Sequence, residues 1–294
     1  MAENRFNRNT KVIIISDIKN EEESIIPYGL QLAKRIESEV DIIHIIDKRD
    51  NTGVSSSYAD SQSITPGKKL SHDTIMLKEK NEIESALDHL LSREGSRLNY
   101  PLKINTVVEE GNIEATLKEK IEKNLNSIIL MNENTDHQIF TSQHEMVKLV
   151  EKTEAYSLII PPGFEFKSFE TIVLSTDFSN KDFENYADLF YFLNKFNPLI
   201  TAVDVHKDNN YATKELESKA WLNAGKNIIP ELNLKTNILH GKDYIPVLQN
   251  YLKLNKPDLL ILFKRKQNVL EKFLSSNPEK EIIQKSDRPV LYYP

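Results

Sequence analysis

Two stretches decide the fold: Glu170–Ser179, which reads ETIVLSTDFS, and its echo Lys11–Asp17, which reads KVIIISD. Each is a short, uninterrupted apolar run that ends in a hydroxyl residue and then an aspartate. A run of this length without polar alternation reads as a strand buried on both faces, the kind that fills a parallel sheet. Each is followed by a helical pattern. Glu22–Ile36 sets Ile26, Leu30, Ala33 and Ile36 on one face, and Phe183–Phe196 forms the second.

Outward from these two anchors the same order runs twice. In the first half Asp41–Ile46 is a strand, Thr74–Arg93 a long helix and Lys103–Val108 a strand. Gly111 opens the helix Ile113–Lys123, Ser127–Met131 is a strand, and a helix around Glu145–Glu151 leads to the strand Ser157–Ile160, closed by Pro161 and Pro162. The second half replays it with strands Leu199–Val205, Lys235–Leu239, Asp258–Phe263 and Pro289–Tyr293, and with helices around Glu215–Ile229 and after Gly241. Strands alternating with helices predict an α/β protein of two tandem open parallel five-stranded sheets, with helices on both faces. Asp17 and Asp177 stand 160 residues apart, whereas Gly111 and Gly241 stand 130 apart. The missing 30 residues fall at 48–77, a Ser-rich insert with Gly and Pro that reads as an exposed loop. The expected division is 1–162 and 163–294, with the boundary at Pro162-Gly163.

Composition narrows the function classes. The 294 residues are 39% hydrophobic and 28% charged, enough apolar material for two cores, and carry a net charge of −6. An acidic surface disfavours nucleic acid as a partner. With no cysteine, thiolate nucleophiles, disulfides and Cys-based zinc sites are excluded. The longest apolar runs, such as Val12–Ile15 and Ile128–Met131, are too short to cross a bilayer, and the polar MAENRFNRNT start shows no secretory h-region, so a cytoplasmic protein without membrane contact is expected.

Ser175-Thr176-Asp177-Phe178-Ser179, the helix pattern Ile25–Ile36, the glycines 111 and 241, and the closing strands Leu158–Pro161 and Pro289–Pro294 together resemble the universal stress protein family, over nearly the whole chain and twice. The resemblance implies the adenine nucleotide alpha hydrolase-like fold, with a nucleotide crevice at the carboxyl ends of the strands. It also implies pairing through the last strand, so that the two halves form a pseudo-dimer, with a homodimer as the alternative. Members that bind ATP use an aspartate after the first strand and a loop G-x-x-G, about nine residues, then G with Ser or Thr.

Here the acid is kept and the loop is not. The stretch after the fourth strand reads Asn132-Glu133-Asn134-Thr135-Asp136-His137 in the first half and Lys264-Arg265-Lys266-Gln267-Asn268 in the second, both free of glycine. Without glycine, backbone amides cannot close around phosphate oxygens. Asp177, Val205, Gly241, Lys264, Lys266, Ser275 and Ser276 are therefore the candidate ligand residues of the second half, with Asp17, Gly111 and Ser142 as degenerate counterparts. Each has a plainer reading. Ser142 and Ser276 both fit S-x-x-E capping boxes, Asp177 suits a turn as well as an adenosine contact, and Lys264–Lys266 suits a solvated loop. His137 and His144 are seven apart and meet no partner pattern, so no metal is expected, and His44 and His206 read as satisfied structural residues. The aromatic helix Phe183–Phe196 is either a contact surface or buried at the junction of the halves.

The leading expectation is a non-enzymatic stress-response protein that binds an unidentified protein partner or small ligand and holds no cofactor. An ATP- or ADP-binding regulator with one remaining site in the second half is the alternative. A slow ATPase trails both, because no nucleophile, base and orienter are arranged for it.

Overall fold

The computed structural model describes residues 10–16, 18, 25–46, 72–123, 127–132, 149–150, 152, 155–178, 183–207, 211–263, 282 and 286–293. Ten strands and six helices lie among them. The first half holds β1 (Lys11–Ile15), α1 (Ile26–Ile36), β2 (Glu39–Ile46), α2 (His72–Leu98), β3 (Ile104–Glu110), α3 (Ile113–Lys123), β4 (Ser127–Asn132) and β5 (Tyr156–Ile160). The second holds β6 (Thr171–Ser175), α4 (Phe183–Asn194), β7 (Leu199–His206), α5 (Tyr211–Ile228), β8 (Asn233–His240), α6 (Tyr244–Asn255), β9 (Leu259–Phe263) and β10 (Val290–Tyr293).

Their order across the sheet is β3-β2-β1-β4-β5-β10-β9-β6-β7-β8. Every pairing within a half is parallel, and the one between halves, β5 with β10, is antiparallel, with Leu158 opposite Leu291. The two sheets expected from the sequence are thus two halves of a single ten-stranded sheet. The insert is also corrected at its end: His72–Leu77 belong to α2, while residues 48–71 lie outside the described residues.

Apolar side chains leave the central strands on both faces, which explains their unbroken hydrophobic runs. Val12 and Ile14 point into one core with α1, α2, α4 and α5, whereas Ile13 and Ile15 point into the other with α3 and α6. The first core runs through both halves. Helix α1 lies so close to β1 that a Cβ at Gly29 would come within 2.4 Å of Ile14 Cδ1. Between the halves the chain lays Phe166 and Phe169 into the junction, where Tyr28 meets Phe166 at 5.1 Å and Phe169 meets Phe196 at 4.8 Å. Lys195 Nζ donates to the Ile36 carbonyl at 3.0 Å, and the Arg35 guanidinium sits 5.7 Å over the Phe196 ring. Residues 35 and 36 of one half therefore engage 195 and 196 of the other, their equivalents in the repeat. The aromatic helix α4 resolves toward burial: Tyr186, Phe190, Phe192 and Phe196 are buried and Tyr191 is 40% exposed.

Candidate functional site

In an open parallel sheet a ligand crevice lies beyond the carboxyl ends of the strands, where the order reverses. The order reverses between β1 and β4 in the first half and between β6 and β9 in the second. Because β5 and β10 run antiparallel, the two sets of carboxyl ends open at opposite edges of the sheet. One ligand cannot bridge both crevices.

A hydroxyl builds the turn at each switch point. In the second half the Thr176 amide donates to the Val203 carbonyl at 3.0 Å, and Thr176 Oγ1 accepts the Phe178 amide at 3.1 Å. In the first half the Ser16 amide donates to Ile43 at 2.8 Å, and Ser16 Oγ accepts the Ile18 amide at 3.3 Å. This is the local side-chain-to-backbone closure typical of Ser and Thr. Ser16 Oγ also lies 3.3 Å from His44 Nδ1, so His44 is a satisfied structural residue as expected.

Beyond Thr176 the two halves diverge. Asp177 stands exposed at the rim and its carbonyl accepts Lys214 Nζ at 3.0 Å. That ammonium also meets Glu217 at 2.8 Å and the buried Asp204 at 3.5 Å. Partial burial alone lowers the pKa of Lys214, but the Glu217 hydrogen bond and the fields of Asp204, Glu217 and Asp177 outweigh it and hold it above the ordinary lysine range. Three carboxylates around one cation leave the spot net negative, which disfavours a polyphosphate.

Phe178 takes a left-handed backbone, φ 57°, and turns its ring into the core. There it meets Trp221 at 5.8 Å, Tyr186 meets Trp221 at 5.6 Å, and Tyr186 reaches Phe263 at 4.7 Å. Tyr186 is on α4 and Phe263 ends β9, so this contact sets two rings beside the switch point. The first-half positions 160 residues before Phe178, Tyr186 and Phe190 hold the aliphatic Ile18, Ile26 and Leu30. On the other face Ser175 Oγ and Tyr244 OH share a 2.6 Å hydrogen bond, which ties the start of α6 to the end of β6.

No family model matches the chain, and no curated protein matches it. Solved structures do. The chain is similar to a universal stress protein from Archaeoglobus fulgidus at 13% identity and TM-score 0.62, over 96% of this chain and 97% of that one. It is also similar to a functionally unknown protein from Pseudomonas aeruginosa, at 11% identity and TM-score 0.57, over 98% of this chain and 94% of that one. The cytoplasmic domain of a prokaryotic cation chloride cotransporter matches at 11% identity and TM-score 0.53, over 97% of this chain and 94% of that one. The fold is that of the universal stress proteins.

Within that fold Asp177, Val205 and Gly241 lie at the carboxyl ends of β6, β7 and β8. Val205 is buried in the second core, against which Leu239, Tyr244 and Val247 pack. The Gly241 amide donates to His206 at 3.2 Å, as the Gly111 amide does to Ile46 at 3.2 Å. Neither glycine has positive φ. A Cβ at Gly241 would come within 2.3 Å of Val247 Cγ2, while Gly111 faces open space, so close packing accounts for Gly241 without a ligand. Asp17, Ser142, Lys264, Lys266, Ser275 and Ser276 lie outside the described residues, as do His137 and His144. Sequence reasoning missed Lys214, whose only signal is Glu217 one helical turn later, and Tyr244, which reads as an ordinary first-turn residue. One expectation is overturned: His206 is not a satisfied residue, for its Nε2 is buried without a hydrogen-bond partner. No helix among the described residues is long and apolar enough to cross a membrane.

Proposed function

We propose that the chain is a universal stress protein-like stress-response protein that acts in the cytoplasm by binding a protein partner or small ligand, without enzymatic activity and without a working ATP loop. The aromatic contact of Tyr186 with Phe263 carries this reading, because it sets side chains beside the place where a ligand would enter between β6 and β9. The acid-rich setting of Lys214 and the glycine-free stretches after β4 and β9 support it. In this reading the chain is its own dimer. Each half uses its last strand to pair with the other, and a homodimer would need a different surface.

A second reading is favoured by one feature of the sequence, the cationic run Lys264-Arg265-Lys266 directly after β9. Cations can hold phosphates without glycine. In that reading the second half binds ATP or ADP with Asp177, Lys264, Lys266 and Ser276.

Mass spectrometry of the purified chain and calorimetry with ATP and ADP separate the two. The first reading expects no copurified nucleotide and no saturable heat. Micromolar binding that disappears in Asp177→Ala, and weakens in Lys264→Glu and Ser276→Ala, would establish the second reading in its place.

A further inference from the structure

We propose that His206 and His240 form a binding site for a borderline divalent transition-metal ion, Zn²⁺, Ni²⁺ or Cu²⁺, at the carboxyl rim of the second half. The two residues are register partners on β7 and β8. Register partners on adjacent parallel strands project from the same face of the sheet, with backbones about 4.8 Å apart. Two imidazoles so placed can reach one ion at the usual metal–nitrogen distance of about 2.0–2.1 Å.

The condition of each ring adds to this. His206 Nε2 is buried with no hydrogen-bond partner, a state that native proteins rarely leave unexplained and that an ion can resolve. His240 is exposed, and the Tyr211 ring stacks on it at 5.2 Å and 28°. Stacking covers the face of the imidazole and fixes its plane, while its nitrogens stay on the ring edge. Imidazole is the donor these ions prefer, whereas Mg²⁺ and Ca²⁺ need oxygen ligands. The carboxylate two residues earlier on the same face, Asp204, is committed to Lys214. Among the described residues no group of three or more His, Asp or Glu gathers to hold a metal. The protein therefore supplies two ligands here, and water completes the coordination. This inference needs only the β7–β8 register and stands apart from the reading of the β6–β9 crevice.

The test is calorimetric titration of the full chain at pH 7.5 with ZnCl₂, and with MgCl₂ as the control, on wild type, His240→Asn, His206→Asn and, as an exposed histidine of α2 in the other half, His89→Asn. Cu²⁺ electron paramagnetic resonance then reads the number of bound imidazole nitrogens. A saturable single-site Zn²⁺ isotherm is expected in wild type and His89→Asn and lost in both rim variants, with two nitrogens coupled to Cu²⁺. Should His206→Asn not fold, the exposed His240→Asn decides alone. No saturable Zn²⁺ binding, or binding that survives His240→Asn, overturns the proposal.

Discussion

Tyr28 sits inside the junction of the halves, 3% exposed, and its buried hydroxyl has no hydrogen-bond partner. Burial, and secondarily the Asp258 carboxylate, push its phenol far above the ordinary tyrosine range. Two outcomes follow from that one atom. Tyr28→Phe removes an unsatisfied polar group and keeps the ring on Phe166, so it should stabilise the protein by about 1 kcal/mol in urea denaturation. The pH dependence has a definite sign. Below about pH 10 the phenol is neutral in both states; above it the unfolded chain releases a proton that the folded chain keeps, so stability falls as pH rises. Lys214 acts in the same sense, since its ammonium is favoured in the fold and its contribution is lost once pH climbs beyond about 10.4. Urea midpoints at pH 8 and pH 11 should therefore drop less for Tyr28→Phe than for wild type. An equal drop would assign the alkaline loss to other groups.

Among the turns that precede α3 and α6, Gly111 and Gly241 look interchangeable in the sequence, each after a strand and before a helix. The structure separates them. Gly241→Ala would press on the branched Val247, with cost about 1–3 kcal/mol. Gly111→Ala enters open space without a positive φ and should range from neutral to about 1 kcal/mol stabilising. Chemical denaturation of the two variants checks the pair, and equal destabilisation would mean that the turn backbone, not packing, requires glycine. The contrast shows where reading the sequence stops. The strands were legible because runs such as Val12–Ile15 and Leu259–Leu262 must be buried on both faces, and repetition fixed their order. The joining of the halves was legible only through resemblance, since nothing local in Leu158 or Leu291 names its partner strand. Lys214 and Tyr244 stayed hidden for the same reason: their partners Asp204, Asp177 and Ser175 are distant in sequence, and no periodicity records such a contact. His206 reads as an ordinary strand-end residue, and only the β7–β8 register reveals its neighbour His240.

At the scale of the whole molecule, what matters is whether two repeats behave as one body. One apolar core crosses the junction, and beside the Lys195–Ile36 hydrogen bond and the Arg35–Phe196 contact the halves are joined by the β5–β10 ladder and by the ring series from Tyr28 through Phe166 and Phe169 to Phe196. Continuity of the core favours a single cooperative transition. The chain has one tryptophan, Trp221, and it is fully buried in the second half, so its fluorescence reports that half while far-ultraviolet circular dichroism reports both. The two curves should coincide for wild type in urea. Leu158→Asp places a carboxylate opposite Leu291 in the middle of the ladder, where a buried charge without a partner is strongly unfavourable. The dichroism curve should then gain an early step, the loss of the first half, that Trp221 does not follow. If the curves still coincide at a lowered midpoint, the rings rather than the ladder couple the halves, and the decisive side chains are Phe166 and Phe169, which lie on the stretch between β5 and β6.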